Sequence, residues 1–153
     1  MEIRRARDEE YVKMADLRQS TIRSVNSRDY PEHVIDRWSS TISAEDFRET
    51  ASQCRRWVAM ENDELAGFCE HNFSCEVSRV YVHMDHLRKG VGSRLVTAAE
   101  HSLKESGCLQ IRVESTVTAK EFYEIQGYEV ITSATYDGDE NAPVYVMSKR
   151  IAE

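Results

Sequence analysis

The sequence predicts a mixed α/β fold in which helices pack on a β-sheet. Apolar residues recur at spacings of three and four before residue 56 and mostly alternate after it, which indicates helices followed by strands. The predicted order is strand, helices, three strands, helix, strand, helix and two strands. A chain of 153 residues is typical of one domain, so residues 1–153 are predicted to form a single domain.

The first third of the chain is predicted to form one strand and then helices. Residues 1–6 suit a short strand, and Asp8 can cap a helix whose apolar positions over residues 14–25 share one face. Pro31 suits the first turn of a second helix. Ser43 can accept the free N–H groups of a third helical stretch, which it therefore begins.

The middle of the chain has the pattern of a hairpin, a strand and a long helix. Residues 57–69 contain two apolar segments around a polar turn, which is typical of a β-hairpin. Residues 76–82 form a further predicted strand. Residues 90–105 carry an apolar stripe of helical spacing, and Gly107 ends that helix.

The last third is predicted to contain three strands and a short helix. Residues 109–114 alternate as a strand does, and residues 118–121 form a capping box that begins a helix ending at Gly127. Residues 128–136 and 144–149 are predicted to be the last two strands, joined by a polar turn.

The net charge of −7 argues against a nucleic-acid partner, because such a partner requires a concentrated positive surface. No apolar run is long enough to span a bilayer, so no membrane partner is expected. The basic residues near the N-terminus are not followed by an apolar stretch. We therefore expect no secretory signal and a cytoplasmic location.

The four cysteines have no CxxC spacing, and with five scattered histidines they form no zinc signature. No metal site is predicted. We expect three or four of these cysteines to be reduced and partly buried, as small apolar residues usually are.

One segment, residues 76–106, carries a chemical signature: a strand, a basic turn with glycines and a long helix. Gly90 and Gly92 let an anion approach the backbone, and a helix start presents unpaired N–H groups and a positive dipole end. Three basic residues add positive charge: Arg88, Lys89 and Arg94. The segment predicts a site for phosphate or pyrophosphate.

Several kinds of anion-binding turn compete for this segment. A P-loop requires GxxxxGK(S/T), which does not occur, and Leu95 stands where a dinucleotide fingerprint has its last glycine. Two alternatives remain open on spacing alone. The glycines can serve only a tight turn, or the protein can bind nucleotide phosphates as a member of another class.

Two motifs resemble those of the GCN5-related N-acetyltransferase (GNAT) family, and in particular a bacterial subgroup of small uncharacterised acetyltransferases. The segment Tyr81–Gly92 is similar to motif A, a strand followed by R/Q-x-x-G-x-G/A. Leu87 stands where Arg or Gln is usual, and Met84 replaces a frequent proline. The segment Ser115–Tyr128 resembles motif B, A-x-x-(L/F)-Y-x-x-x-G-(F/Y). The order of elements also fits, so the resemblance covers nearly the whole chain.

The resemblance implies a central mixed, mostly antiparallel sheet of about seven strands, with a V-shaped splay between the fourth and fifth strands and about four flanking helices. It implies direct transfer of an acetyl group from acetyl-CoA to a primary amine, through a ternary complex. The acceptor is expected to be a small molecule, held near residues 26–38 and the last hairpin, and a homodimer is possible. The alternative is a non-catalytic acyl-CoA-binding or sensory domain, which Leu87 keeps open.

The resemblance also assigns roles to residues. Tyr123 is the expected acid that protonates the leaving CoA thiolate, and Glu76 is the first candidate for the base. Weaker candidates for the base are His71, Glu70 and His83. The residues expected to bind the cofactor are Val80, Tyr81, Val82, Leu87, Arg88, Lys89, Gly90, Val91, Gly92, Ser93 and Tyr123.

Overall fold

A β-sheet forms the centre of the protein in a computed structural model that describes residues 1–152. The strands of those residues are β1 (Glu2–Arg5), β2 (Cys54–Glu61), β3 (Glu64–Asn72), β4 (Glu76–Val82), β5 (Gln110–Thr116), β6 (Glu129–Thr135) and β7 (Pro143–Arg150). The α-helices of the same residues are α1 (Tyr11–Ser24), α2 (Glu32–Ser39), α3 (Ala44–Glu49), α4 (Val91–Glu105) and α5 (Lys120–Ile125). The predicted α/β class is confirmed, with five α-helices where about four were expected.

The sheet opens between its fourth and fifth strands. The strand order is β1-β2-β3-β4-β5-β7-β6, and β4–β5 is the parallel pair in an otherwise antiparallel sheet. These two strands pair only at Glu76 with Arg112 and at Val77 with Val113. Beyond Val77 they diverge, so the predicted V-shaped splay is confirmed.

A β-bulge at Ser78 marks the start of this divergence. Glu70 pairs with Arg79 and His71 with Val77, which leaves Ser78 as the extra residue of β4. A bulge bends its strand and shifts the alternation of side chains. The valines of β4 after the bulge therefore pack on the face that α4 covers, whereas Tyr81 packs on the opposite face.

The sheet separates two layers of helix. In β2, Val58 packs with α1 and α3 on one face, and Ala59 packs with α4 on the other, and both side chains are fully buried. Gly67 of β3 lets α4 approach closely, since a Cβ there would lie 3.1 Å from Cδ1 of Leu95 and 3.2 Å from Cγ1 of Val91.

Two of the predicted helix caps are wrong. Asp8 begins a single 3-10 turn, and the residue that precedes α1 is Glu10. Thr118 lies outside α5, whose preceding residue is Ala119, and the Ala119 N–H donates to the hydroxyl of Thr116 at 3.1 Å. Ser43 does begin α3 through a capping box, as predicted.

The expectation for the cysteines is also wrong. Cys75 and Cys108 form a disulfide with their Cα atoms 5.8 Å apart, and only Cys54 and Cys69 are free thiols among the described residues. The bonded pair is separated by 33 positions in sequence, so no local spacing indicates it. Because Cys75 directly precedes β4 and Cys108 lies just before β5, the disulfide joins the closed end of the V.

Across residues 1–152, no helix has both the length and the apolar character needed to cross a bilayer.

Candidate functional site

A cavity of about 500 Å³ occupies the opening between β4 and β5. Residues 77–82 of β4 form one wall, and β5 and α5 form the other. Residues of α1, together with Trp38 and Thr41, close it from the α1 side of the sheet. A concave, largely apolar space with a few polar groups is typical of a small-molecule site.

The β4 wall presents peptide groups that pair with no neighbouring strand, although the Val82 carbonyl oxygen accepts a hydrogen bond from the Thr21 hydroxyl at 3.4 Å. The His83 N–H donates to the Ala66 carbonyl oxygen on β3 at 2.8 Å. Because peptide groups of alternate residues in a strand point to opposite neighbours, those of Val82 and Val80 point away from β3. On that side β5 pairs no further than Val77. The edge of β4 is therefore open to hydrogen bonds from a ligand.

A row of free N–H groups lies at the start of α4. Within residues 1–152, none of the N–H groups of residues 88–93 donates a hydrogen bond, and the first that does is Arg94, to Gly90 at 3.1 Å. Arg88 and Gly90 adopt left-handed conformations, with φ of 61° and 80°. Successive N–H groups in such a turn face one concavity, and the helix dipole adds positive potential there. We call residues 88–93 the anion cradle.

Gly92 has a packing role besides its place in the cradle. A Cβ at this position would lie 2.9 Å from Cε1 of Phe122 and 3.5 Å from Val82. The absent side chain therefore lets the Phe122 ring of α5 lie over the first turn of α4. Phe122 and Leu87 both line the cavity, so they connect the cradle to the opening between the strands.

Tyr123 of α5 lines this cavity. Its side chain is 7% exposed, and within the described part of the chain its hydroxyl makes no hydrogen bond. Burial raises the pKa of Tyr123, with smaller contributions from the neighbouring Tyr81 and Cys69. The phenol consequently keeps its proton at neutral pH and is available as a donor to a ligand.

Glu76 lies outside the cavity lining, at the closed end of the V. Its carboxylate accepts a hydrogen bond from the Asn72 side-chain amide at 2.8 Å. The structure therefore brings together Tyr123, Leu87 and the open edge of β4. Glu76 lies apart from them. Its role as the base stays a prediction.

The three weaker candidates for the base lie outside the lining as well. Glu70 is buried in an ion pair with Arg56, at 2.7 Å. His71 is fully buried and within 2.9 Å of the Ser102 hydroxyl, and burial lowers its pKa. His83 lies beyond the end of β4 and accepts a hydrogen bond from the Asp85 N–H.

Sequence reasoning missed Glu114, which is the one acidic side chain lining the cavity among residues 1–152. It occupies an exposed position of β5 between buried Val113 and Ser115. In the sequence, such a residue looks the same as any polar residue on the solvated face of an amphipathic strand. Glu114 lines the cavity only because β4 diverges from β5.

Among residues 1–152, no three His, Cys, Asp or Glu side chains are arranged to hold a metal ion.

Comparison with protein families relates this geometry to known proteins. The model of the acetyltransferase (GNAT) domain matches residues 26–148. The chain is also similar to the uncharacterized N-acetyltransferase YafP of Escherichia coli K12, with 26% identity over 105 residues. That match covers 69% of this chain and 65% of YafP, so the chain spans slightly less than two thirds of this relative.

Solved structures share the same architecture. A GCN5-related N-acetyltransferase from Rhodopseudomonas palustris has a TM-score of 0.91 at 23% identity, covering 98% of this chain and 95% of the other. The PaiA N-acetyltransferase of Thermoplasma acidophilum, in complex with coenzyme A, has a TM-score of 0.80 at 22% identity, covering 98% of each chain. The aminoglycoside 6'-N-acetyltransferase of Enterococcus faecium has a TM-score of 0.77 at 17% identity, covering 100% and 98%.

At these identities the structural likeness establishes the fold. The family match is more specific, because residues 26–148 contain the open edge of β4, the anion cradle and Tyr123. This chain therefore belongs to the GNAT family of acetyltransferases.

Proposed function

We propose that this protein transfers the acetyl group of acetyl-CoA to a primary amine of a small molecule, directly within a ternary complex. One observation carries the proposal. The open edge of β4 and Tyr123 line the same cavity, and so does Phe122, which lies against Gly92 of the anion cradle.

In this proposal the anion cradle binds the pyrophosphate of acetyl-CoA. Its free N–H groups supply donors, and the side chains of Arg88 and Lys89 add positive charge. Leu87 contributes apolar contact in place of a polar one. The open peptide groups of Val80 and the N–H of Val82 bind the pantetheine arm and the thioester, with Tyr81 between them. The coenzyme A complex of the PaiA relative supports a cofactor of this class.

The reaction requires the amine nitrogen to attack the thioester carbon, which forms a C–N bond and a tetrahedral oxyanion. The N–H of Val82 lies on the open side of β4, where it can donate to that oxyanion without rearrangement. Collapse of the oxyanion breaks the C–S bond. Tyr123 then donates its proton to the departing thiolate, and the proton that the attached nitrogen loses as the amide forms restores the phenol.

The amine must be neutral when it attacks, so a base or a water chain must remove its proton. Glu76 and Glu114 are the two candidates. Position favours Glu114, because it lines the cavity, whereas Glu76 bonds to Asn72 at the closed end of the V. We therefore propose Glu114 as the proton acceptor and keep Glu76 as the alternative.

A small acceptor is supported by the size of the cavity, about 500 Å³, which must also hold the acetyl end of the cofactor. The similar structures include aminoglycoside 6'-N-acetyltransferases, which are named for a small-molecule acceptor.

The test measures thiol release from acetyl-CoA over a panel of primary amines, together with calorimetry of CoA binding. Acceptor-dependent release is expected from the unmodified protein. Gly92→Glu should abolish CoA binding, since its carboxylate would enter the cradle and its Cβ would meet Phe122. Thr97→Glu adds the same charge on an exposed position of α4 and should leave CoA affinity nearly unchanged.

Two results would contradict the proposal in different ways. Undiminished CoA affinity in Gly92→Glu would remove the cofactor site from α4. CoA binding without thiol release for any amine would favour the non-catalytic acyl-CoA-binding alternative. One observation supports that alternative: none of the bases predicted from sequence lines the cavity.

A further inference from the structure

Arg18 is a buried guanidinium without a carboxylate partner. It is 6% exposed in α1, and its Nη1 donates to the Trp38 carbonyl oxygen at 2.8 Å. Its Nη2 lies 3.5 Å from the Thr41 hydroxyl, and the guanidinium carbon lies 5.8 Å from the centre of the Tyr81 ring. All three partners are neutral, and no carboxylate of residues 1–152 forms an ion pair with it.

The other deeply buried arginine is treated differently. Arg56 is 5% exposed, and its Nε donates to the buried carboxylate of Glu70 at 2.7 Å. Removing a charge from water is costly unless an opposite charge compensates for it. Glu70 compensates for the charge of Arg56, whereas no carboxylate of residues 1–152 compensates for the charge of Arg18.

Two buried donors beside the cavity also lack acceptors. Nε of Arg18 and Nε1 of Trp38 have no hydrogen-bond partner in the described part of the chain, and both side chains are 6% exposed. Both residues line the cavity, and Arg18 is bonded to the Trp38 backbone, so the two residues lie together in its wall. Neither group can accept a hydrogen bond. A ligand that satisfies them must carry acceptor atoms, and the charge of Arg18 favours an anionic one.

The anionic group that Arg18 would bind is distinct from the phosphates of the cofactor. The anion cradle begins α4, which packs on one face of the sheet, whereas Arg18 lies on α1, which packs on the other. Arg18 contacts Tyr81, and one turn later Thr21 donates to the Val82 carbonyl oxygen at 3.4 Å. Arg18 therefore lies beside the end of β4 at which the proposed transfer takes place.

We infer that the amine acceptor also carries a carboxylate, and that Arg18 and Trp38 bind it on the α1 side of the cavity. The planar guanidinium matches a carboxylate in charge and geometry. Glu114, the one acidic residue of the lining, lies on the opposite strand and suits the ammonium end of the same molecule. This inference rests on the proposed acetyl transfer, and it names amino acids and similarly small amino carboxylates as the substrate class.

The test compares α-amino acids with their carboxamides and with the decarboxylated amines. With the unmodified protein, kcat/KM for the acids should exceed that for the amides by about tenfold to a hundredfold, the equivalent of charged hydrogen bonds. Arg18→Met should remove this preference by raising KM for the acids alone. Arg18→Lys should restore part of it, because the charge returns without the bidentate geometry.

The amides provide an internal control, since a misfolded Arg18→Met protein would lose activity on both series. Arg23→Met is the matched control on α1, because Arg23 is exposed and pairs with Asp36 away from the cavity. It should keep the preference for acids. Equal kcat/KM for acids and amides in the unmodified protein would overturn the inference.

Calorimetry separates this inference from the proposed function, because binding does not require turnover. Amino acids and their amides are titrated into the protein saturated with CoA. Tighter binding of the acids that depends on Arg18 supports the carboxylate site even if no thiol is released. Turnover of amides and simple amines without any preference for acids would support the acetyl transfer and reject the carboxylate site. If no amino acid binds or reacts, the carboxylate site is rejected as well.

Discussion

The side-chain amide of Gln126 donates a hydrogen bond to the hydroxyl of Ser93 at 2.7 Å. Ser93 belongs to the anion cradle, and Gln126 directly follows α5, the helix that carries Tyr123. The bond therefore joins the proposed cofactor site to the proposed acid. Together with Phe122 over Gly92, it holds α5 on the first turn of α4.

Tyr123→Phe should lower kcat by about a hundredfold or more, the usual contribution of a general acid. CoA affinity should change little, since the cradle is untouched. Steady-state kinetics and calorimetry measure the two effects. Tyr128→Phe is the matched control, because the Tyr128 hydroxyl bonds to Glu100 and that residue does not line the cavity. Unchanged turnover in Tyr123→Phe would remove this residue from the mechanism.

Substitution of each candidate base in turn should show which one accepts the amine proton. Glu114→Gln should reduce kcat/KM by about a hundredfold at neutral pH if this carboxylate accepts the amine proton. Glu76→Gln should have a much smaller effect, because its side chain bonds to Asn72 outside the cavity. A larger loss in Glu76→Gln would reverse the assignment, and equal activity of all three proteins would indicate a water chain.

Loss of the Cys75–Cys108 disulfide should destabilise the fold. Chain-entropy arguments for a separation of 33 residues give a loss of about 3–4 kcal/mol in the free energy of unfolding. Urea unfolding of the Cys75→Ser/Cys108→Ser protein measures this, and Cys54→Ser, which removes a free thiol, is the control. An unchanged midpoint would mean that the disulfide adds no stability. Disulfides are uncommon in reducing compartments such as the cytoplasm. The disulfide therefore does not support the predicted cytoplasmic location, which stays a prediction.

His71 should make stability depend on pH below neutrality. Burial lowers its pKa, so the unfolded chain takes up a proton at a higher pH than the folded protein. Stability is therefore fully present above the unfolded pKa, about 6.5, and falls as the pH drops below it, by at most about 1.4 kcal/mol per pH unit. Urea unfolding between pH 7.5 and 5 should show a smaller decline in His71→Gln.

The control for this pH dependence is His101→Gln, since the His101 side chain is 73% exposed and pairs with Glu105 on the surface of α4. Its decline should match that of the unmodified protein. An identical decline in His71→Gln would assign the pH dependence to other groups.

Much of the fold was predictable from local pattern. Helical spacing indicated α1 and α4, alternation indicated the strands from β2 onward, and Ser43 correctly marked the start of α3. Such predictions succeed where neighbouring residues determine the structure. Thr118 shows the limit, because the Thr116 hydroxyl accepts the Ala119 N–H, and the helix begins later than the capping box indicates.

The sequence by itself determined the order of elements, the glycine-containing basic turn of the anion cradle and the position of Tyr123 on a helix after β5. Only the tertiary structure decided which side chains meet. The bulge at Ser78 and the divergence of β4 from β5 place Glu114 at the cavity and leave Glu76 outside it. Packing of α1 on α2 brings Arg18 to Trp38, and the closed end of the V joins Cys75 to Cys108. These contacts join residues at least 20 positions apart, and no local periodicity records distances of that kind.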